Sequence, residues 1–173
     1  MSNYNSDKPK DYTGWIVAGI CCLLIVGFFI ILLTTGNKKS KESNKGIFSA
    51  QKAVVYKTAT CGCCGVYSKY LPEEGMQTTV RDISSNELDQ MRVKLGIPDD
   101  LKSCHITVMG DYFVSGHVPV EAISKLITEK PDIAGIALAG MPSGTPGMPG
   151  PKTVSWNIKA IGADKTVSEF IKL

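Results

Sequence analysis

Four of the six cysteines of this chain fall in two short clusters, Cys61-Gly62-Cys63-Cys64 and, far downstream, Cys104 followed directly by His105. Thiolates crowded in this way suit soft ions such as Cu(I), Zn(II) or an iron–sulfur cluster rather than hard cations. The three thiols of the first cluster cannot all pair with one another, because adjacent cysteines rarely reach disulfide geometry. Stapling usually spreads cysteines out to close large loops. Metal or redox chemistry is therefore the first expectation, and two plain disulfides the bland alternative. The pair Cys61-x-x-Cys64 also has the spacing of a dithiol–disulfide couple, which keeps thiol exchange open. Zinc is the weaker metal, since structural zinc sites usually combine two well-separated cysteine pairs. Cys61, Cys63, Cys64 and Cys104 are the candidate ligands.

Softer candidates surround them. His105 and His117 are the only histidines. A solitary histidine more often packs or caps than ligates, but His105 adjoins Cys104. Strand alternation would turn the two to opposite faces unless the backbone there is irregular. His117 precedes Pro119 and is placed to cap a following helix. Both are expected as outer donors, His105 the stronger. Met141 and Met148 lie in a Gly/Pro loop, where thioethers accept Cu(I) weakly; ligation and packing are equally open for them. Met76, Met91 and Met109 have ordinary core explanations. No Ser/His/Asp arrangement or phosphate-cradling Gly loop is present. Glu73-Glu74 and Asp99-Asp100 read as solvated turn charges. Hydrolase and transferase chemistry have no support.

The elements that must position these groups can be read from periodicity and turn residues. Ala53 to Thr58 reads as a strand, and Gly65 to Leu71 as a short helix opened by the cysteine cluster and closed by Pro72. Gln77 to Ile83 is a second strand. Glu87 to Leu95 is a second helix, capped by Ser84 or Ser85, with Leu88, Met91 and Leu95 on one face and Gly96 as its stop. His105 to Met109 and Tyr112 to Ser115 form a hairpin around Gly110-Asp111. Pro119 opens a third helix through Lys130. Gly140 to Pro151 is a linker or irregular loop. Val154 to Ile161 and Thr166 to Leu173 read as an added C-terminal hairpin. This α/β order is that of a thioredoxin-like fold, with a cysteine-rich turn at the start of the first helix. Free backbone N–H groups there stabilise a thiolate below its usual pKa of about 8.5. In such a fold the loop entering the third strand faces that turn, so Cys104 is expected opposite the first cluster.

Ahead of the domain, the chain is uncharged and apolar from Trp15 to Leu33, close to the ~20 residues a bilayer requires. No small-residue cleavage site comes after it, so an uncleaved transmembrane helix is expected rather than a signal peptide. The expected organisation is a disordered N-terminus over 1–13, an anchor over 14–34, a tether over 35–50 and one metal-binding domain over 51–173. Cys21 and Cys22 would be ordinary lipid-buried residues. The formal charge of +3 comes from Lys38, Lys39, Lys41 and Lys45 against Glu42; from Gly46 onward, acidic and basic residues balance. That flanks a membrane and does not build a nucleic-acid patch. Charge alone leaves the side undecided, because the lysines argue for a cytosolic domain while a single N-terminal anchor often exports the domain behind it.

The stretch from Val55 to Met148 resembles the CopG family of bacterial periplasmic copper-resistance proteins. The resemblance is carried by Thr60-Cys61-Gly62-Cys63-Cys64-Gly65, Gly96-Ile97-Pro98, Ser103-Cys104-His105, Gly116-His117-Val118-Pro119 and the Gly140–Met148 loop. It implies a thioredoxin-like domain whose cysteines 61, 63, 64 and 104 bind copper as Cu(I), in a multinuclear cluster. His105, His117, Met141 and Met148 would form the outer shell. It further implies copper efflux or chaperone proteins as partners, and a single-pass inner-membrane protein facing the periplasm. The chain departs from the family in its first helix, which carries Tyr67 and Tyr70 and no histidine. A metal-binding protein is expected first; the alternative is a membrane-tethered thiol–disulfide oxidoreductase using Cys61 and Cys64.

Overall fold

A computed structural model describes residues 21, 23–30 and 46–173. Its contacts divide the chain into two units, Met1–Ser40 and Lys41–Leu173. In the first, residues 23–30 are helical, and the side chains from Leu23 to Val26 and from Phe28 to Ile30 are exposed. Among the described residues no helix is long and apolar enough to cross a membrane. The anchor expected over 14–34 lies for the most part outside the described residues, as do the 1–13 segment, Cys22 and most of the 35–50 tether.

The second unit is a mixed seven-stranded sheet flanked by helices. Its strands are β1 (Lys52–Lys57), β2 (Gln77–Asp82), β3 (His105–Met109), β4 (Tyr112–Ser115), β5 (Gly135–Ala137), β6 (Asn157–Ile161) and β7 (Val167–Lys172). Three helices, α1 (Gly62–Glu73), α2 (Ser85–Lys94) and α3 (Val120–Glu129), connect them. The sheet order is β2-β1-β3-β4-β5-β6-β7. β1 is parallel to β2 across α1, and β4 is parallel to β5 across α3. The remaining pairs are antiparallel. The β3–β4 hairpin turns at Gly110, whose φ of +55° suits a residue without Cβ.

Strand alternation sends neighbouring residues into two cores. Val55, Met109, Val114, Ile136 and Ile158 join Tyr67 and Leu71 of α1 and Ile123 and Leu126 of α3. Ile106, Phe113, Ala137 and Ile161 join Leu88 of α2 and Leu101 on the opposite face. Fully burying one such side chain contributes about 1.5–3 kcal/mol. His105 and Thr107 alternate with Ile106, so they share the α1/α3 side of β3 with Met109.

The expected strands, helices and terminal hairpin are present, with three differences. Helix α1 begins at Gly62, so Cys63 and Cys64 lie inside its first turn, and Pro72 rides within its last turn. β6 begins only at Asn157, leaving Val154 exposed. Short β5 and a 3₁₀ turn at Asp99–Leu101 have too few residues to show a period. Ser84 caps α2 through a reciprocal box with Glu87, whose carboxyl is held below its usual range by those hydrogen bonds.

Candidate metal centre

The site is assembled where β1 runs into α1. The Cys61 N–H bonds the Thr58 carbonyl at 3.1 Å, closing the turn that starts the helix. Cys61 is the N-cap residue, and no side chain caps the first-turn N–H groups there. Cys61 and Cys64 are joined as a disulfide with Cα atoms 5.4 Å apart, while Cys63 and Cys104 are free thiols. Cys63 Sγ lies 3.7 Å from Cys61 Sγ and 3.9 Å from Cys104 Sγ. All four sulfurs lie within 4.8 Å of one another.

Cys104 is carried in by the loop between α2 and β3. The Arg92 guanidinium, on α2, donates to the carbonyl of Ser103 through Nη2 and pairs with Asp89 through Nη1. Ser103 Oγ reaches the Gly140 carbonyl at 3.4 Å. Cys104 precedes β3 in a bend, so strand alternation does not yet govern it. Its Sγ lies 3.5 Å from His105 Nδ1 and 3.3 Å from His117 Nε2. The backbone at Cys104 is thus irregular, the condition under which alternation would not turn His105 away from Cys104.

His117 does not cap α3. The N-cap of that helix is Pro119, with no side-chain cap bond, and the Val120 N–H is met at 3.0 Å by Tyr70 Oη. His117 instead donates from Nδ1 to the Pro146 carbonyl at 2.7 Å, which leaves the Nε2 lone pair facing Cys104. Burial lowers the pKa of His117, with that hydrogen bond opposing the shift. Burial and then the neighbouring His117 push His105 down to about 3, against the opposing pull of a hydrogen bond with the Gly116 backbone; its Nε2 is buried without a partner. Cys104 is pushed up to about 11, by burial first and by the Cys63 thiol second. Burial therefore outweighs the hydrogen bond with Ser103 that favours the thiolate at Cys104. Neutral imidazoles and a reluctant thiol suit a cation that displaces the thiol proton.

The Gly/Pro loop is folded back over the site and is no linker. Gly147, at φ +84°, packs against α1: a Cβ there would lie 3.0 Å from the Tyr67 amide nitrogen and 3.1 Å from the Cys63 carbonyl oxygen. Met141, half exposed, reaches Cys63 Sγ at 3.8 Å between sulfurs. Met148 sits half-buried on the same loop with its N–H bonded to Thr145 O at 2.8 Å. No hydrogen bond links its thioether to a cluster sulfur. Sequence reasoning missed Tyr67, whose ring lies 4.5 Å from that of His105 and 5.4 Å from that of His117. Its helical spacing of three and four residues from Cys64 and Cys63 was the available signal. Arg92 and Pro146 gave no sequence signal, because they act through backbone carbonyls or as one.

A family model described as a protein of unknown function, DUF411, matches residues 101–148, the stretch that contributes Cys104, both histidines and the loop. No curated protein matches the chain. Two solved structures of copper resistance protein CopG are similar. Form 2 is 31% identical with a TM-score of 0.65, covering 71% of this chain and 98% of that one. Form 1 is 31% identical with a TM-score of 0.64, covering 70% and 96%. With the cysteine cluster in place and the likeness running through nearly the whole of those structures, the chain belongs to the CopG family of copper-resistance proteins.

Proposed function

We propose that this chain is a membrane-anchored, periplasm-facing protein that holds Cu(I) through Cys61, Cys63, Cys64 and Cys104. It would support copper resistance by sequestration, handover to efflux or chaperone proteins, or redox conversion. One observation carries the reading: four sulfurs from two distant segments converge within 4.8 Å. Sulfurs so close bridge several soft ions, which favours a multinuclear cluster. A two-electron, two-proton reduction of the Cys61–Cys64 disulfide by a dithiol donor supplies the full thiol set, and Cu(I) then displaces the thiol protons. His105, His117 and Met141 border the cluster as further donors, with Met148 on the same loop. The strand order β2-β1-β3-β4, with the cysteine turn opening α1, supports a thioredoxin-like core. The exposed apolar helix at 23–30 supports an anchor.

The test is an anaerobic Cu(I) titration of the reduced chain against a chromophoric chelator. More than one tightly held ion per chain, lost in Cys63→Ser, is the expected result. Weak binding with an intact Cys61–Cys64 couple would overturn it.

The disulfide itself favours a second reading, a thiol–disulfide oxidoreductase. A substrate thiolate would attack Cys61, the less buried partner, with Cys64 leaving as the thiolate, and the substrate's second thiol would then release Cys61 from the mixed disulfide. Two electrons pass from a substrate dithiol, which leaves as a disulfide. Such an enzyme tolerates Cys63→Ser, and a copper cluster does not.

A further inference from the structure

We propose that the disulfide-closed chain holds one borderline divalent cation, of the zinc and cobalt class, between Cys104, His105 and His117. The proposal rests on reading the four sulfurs as a copper site, and concerns the state in which that site is closed. The Cys61–Cys64 bond withdraws two of the four sulfurs as thiolate donors. It leaves untouched a second group that shares only Cys104 with the first, and whose donor atoms also lie within 4.8 Å of one another.

Two of the three donor spacings in this group fit a tetrahedral ion. Bond lengths of ~2.3 Å to sulfur and ~2.0–2.1 Å to nitrogen place the two donors ~3.5 Å apart at a tetrahedral angle. Cys104 Sγ stands 3.3 Å from His117 Nε2 and 3.5 Å from His105 Nδ1. The orientation fits too. His117 gives its Nδ1 proton to the Pro146 carbonyl, the outer hydrogen bond that metal-bound imidazoles usually make, and so presents Nε2. Tyr67 wedges both rings, lying 4.5 Å from His105 and 5.4 Å from His117. One thiolate and two imidazoles form a borderline donor set, whereas clustered thiolates select Cu(I). Three protein donors leave the fourth position to water or an incoming ligand. The redox state of one disulfide thus selects which class of metal the chain accepts.

The experiment titrates the full chain in detergent, its Cys61–Cys64 disulfide verified by intact mass, with Co(II) under argon. One Co(II) per chain is expected, with a sulfur-to-cobalt charge-transfer band and displacement by Zn(II). His117→Gln should weaken Co(II) binding more than tenfold, while the Cys61→Ser/Cys64→Ser double variant should retain one ion. Absence of saturable Co(II) binding in the wild-type chain overturns the proposal. So does His117→Gln binding as tightly as wild type, or loss of the ion in a folded double variant. Counting Cu(I) on the reduced chain is a separate measurement, so either reading can fail without the other.

Discussion

His117 and Pro146 are joined by a 2.7 Å hydrogen bond from imidazole Nδ1 to a backbone carbonyl. A Gly/Pro loop thereby sets which nitrogen of a buried histidine faces the thiols. Pro146 has no N–H of its own to give, and the following Gly147 lets the backbone lie against α1. The loop thus both brings Met141 up to Cys63 and sets the orientation of His117.

Cys104 belongs to both donor groups. Cys104→Ser should therefore remove most Cu(I) affinity, by more than ~10-fold, because a hydroxyl is a poor ligand for a soft ion. The Cys61–Cys64 disulfide should still form. A chelator competition with the reduced variant, and a thiol count on the oxidised one, check the two halves. Unchanged Cu(I) binding would place the cluster elsewhere.

Gly147→Ala should loosen the loop. At φ +84° an alanine is strained, and its Cβ would meet the Tyr67 nitrogen, the Cys63 oxygen and, at 3.3 Å, His117 Nδ1. The expected cost is about 1–3 kcal/mol. Thermal unfolding measures it. Cu(I) affinity should fall in the same variant, since both the Pro146 carbonyl and Met141 move with the loop.

Tyr67→Phe separates packing from ligation. The Tyr67 hydroxyl donates to the Val118 carbonyl at 2.9 Å in a fully buried setting. Removing it leaves that carbonyl unpaired, at about 1–3 kcal/mol. The ring stays to wedge the histidines, so the number of Cu(I) ions bound should not change. A lowered melting temperature with intact stoichiometry is the expected pattern. A changed stoichiometry would give the hydroxyl a part in the site.

Much of this was legible in the sequence where period or spacing carried it. The β3–β4 hairpin and the convergence of Cys104 on the first cluster follow from alternation, turn residues and element order. The histidines were harder. The start of β3 at His105 was legible, but whether Cys104 and His105 share a side depends on the bend at Cys104, which residue type does not set. Pro72 read as a helix stop, although the last turn of α1 accommodates it. The Gly140–Pro151 run read as either a linker or an irregular loop, and the choice was open because its part in the site lies in backbone geometry: a carbonyl at Pro146 and a missing Cβ at Gly147. Neither has a side-chain signature.

The raised pKa of Cys104 makes a prediction about the metal-free, disulfide-closed chain. In the unfolded chain this thiol ionises near 9.0; folded, it is pushed up to about 11 because burial and Cys63 disfavour the thiolate. Below the lower value both states hold the proton and the thiol costs nothing. Between the two values the unfolded state loses the proton while the folded state keeps it, so rising pH favours unfolding. The stability linked to Cys104 is thus complete below pH 9 and is lost as the pH passes through the folded value. Partial exposure of the thiol screens the effect. Denaturant unfolding at pH 8 and pH 10.5 should show wild type losing more stability than Cys104→Ser. Parallel loss in both would mean that other groups carry the alkaline transition.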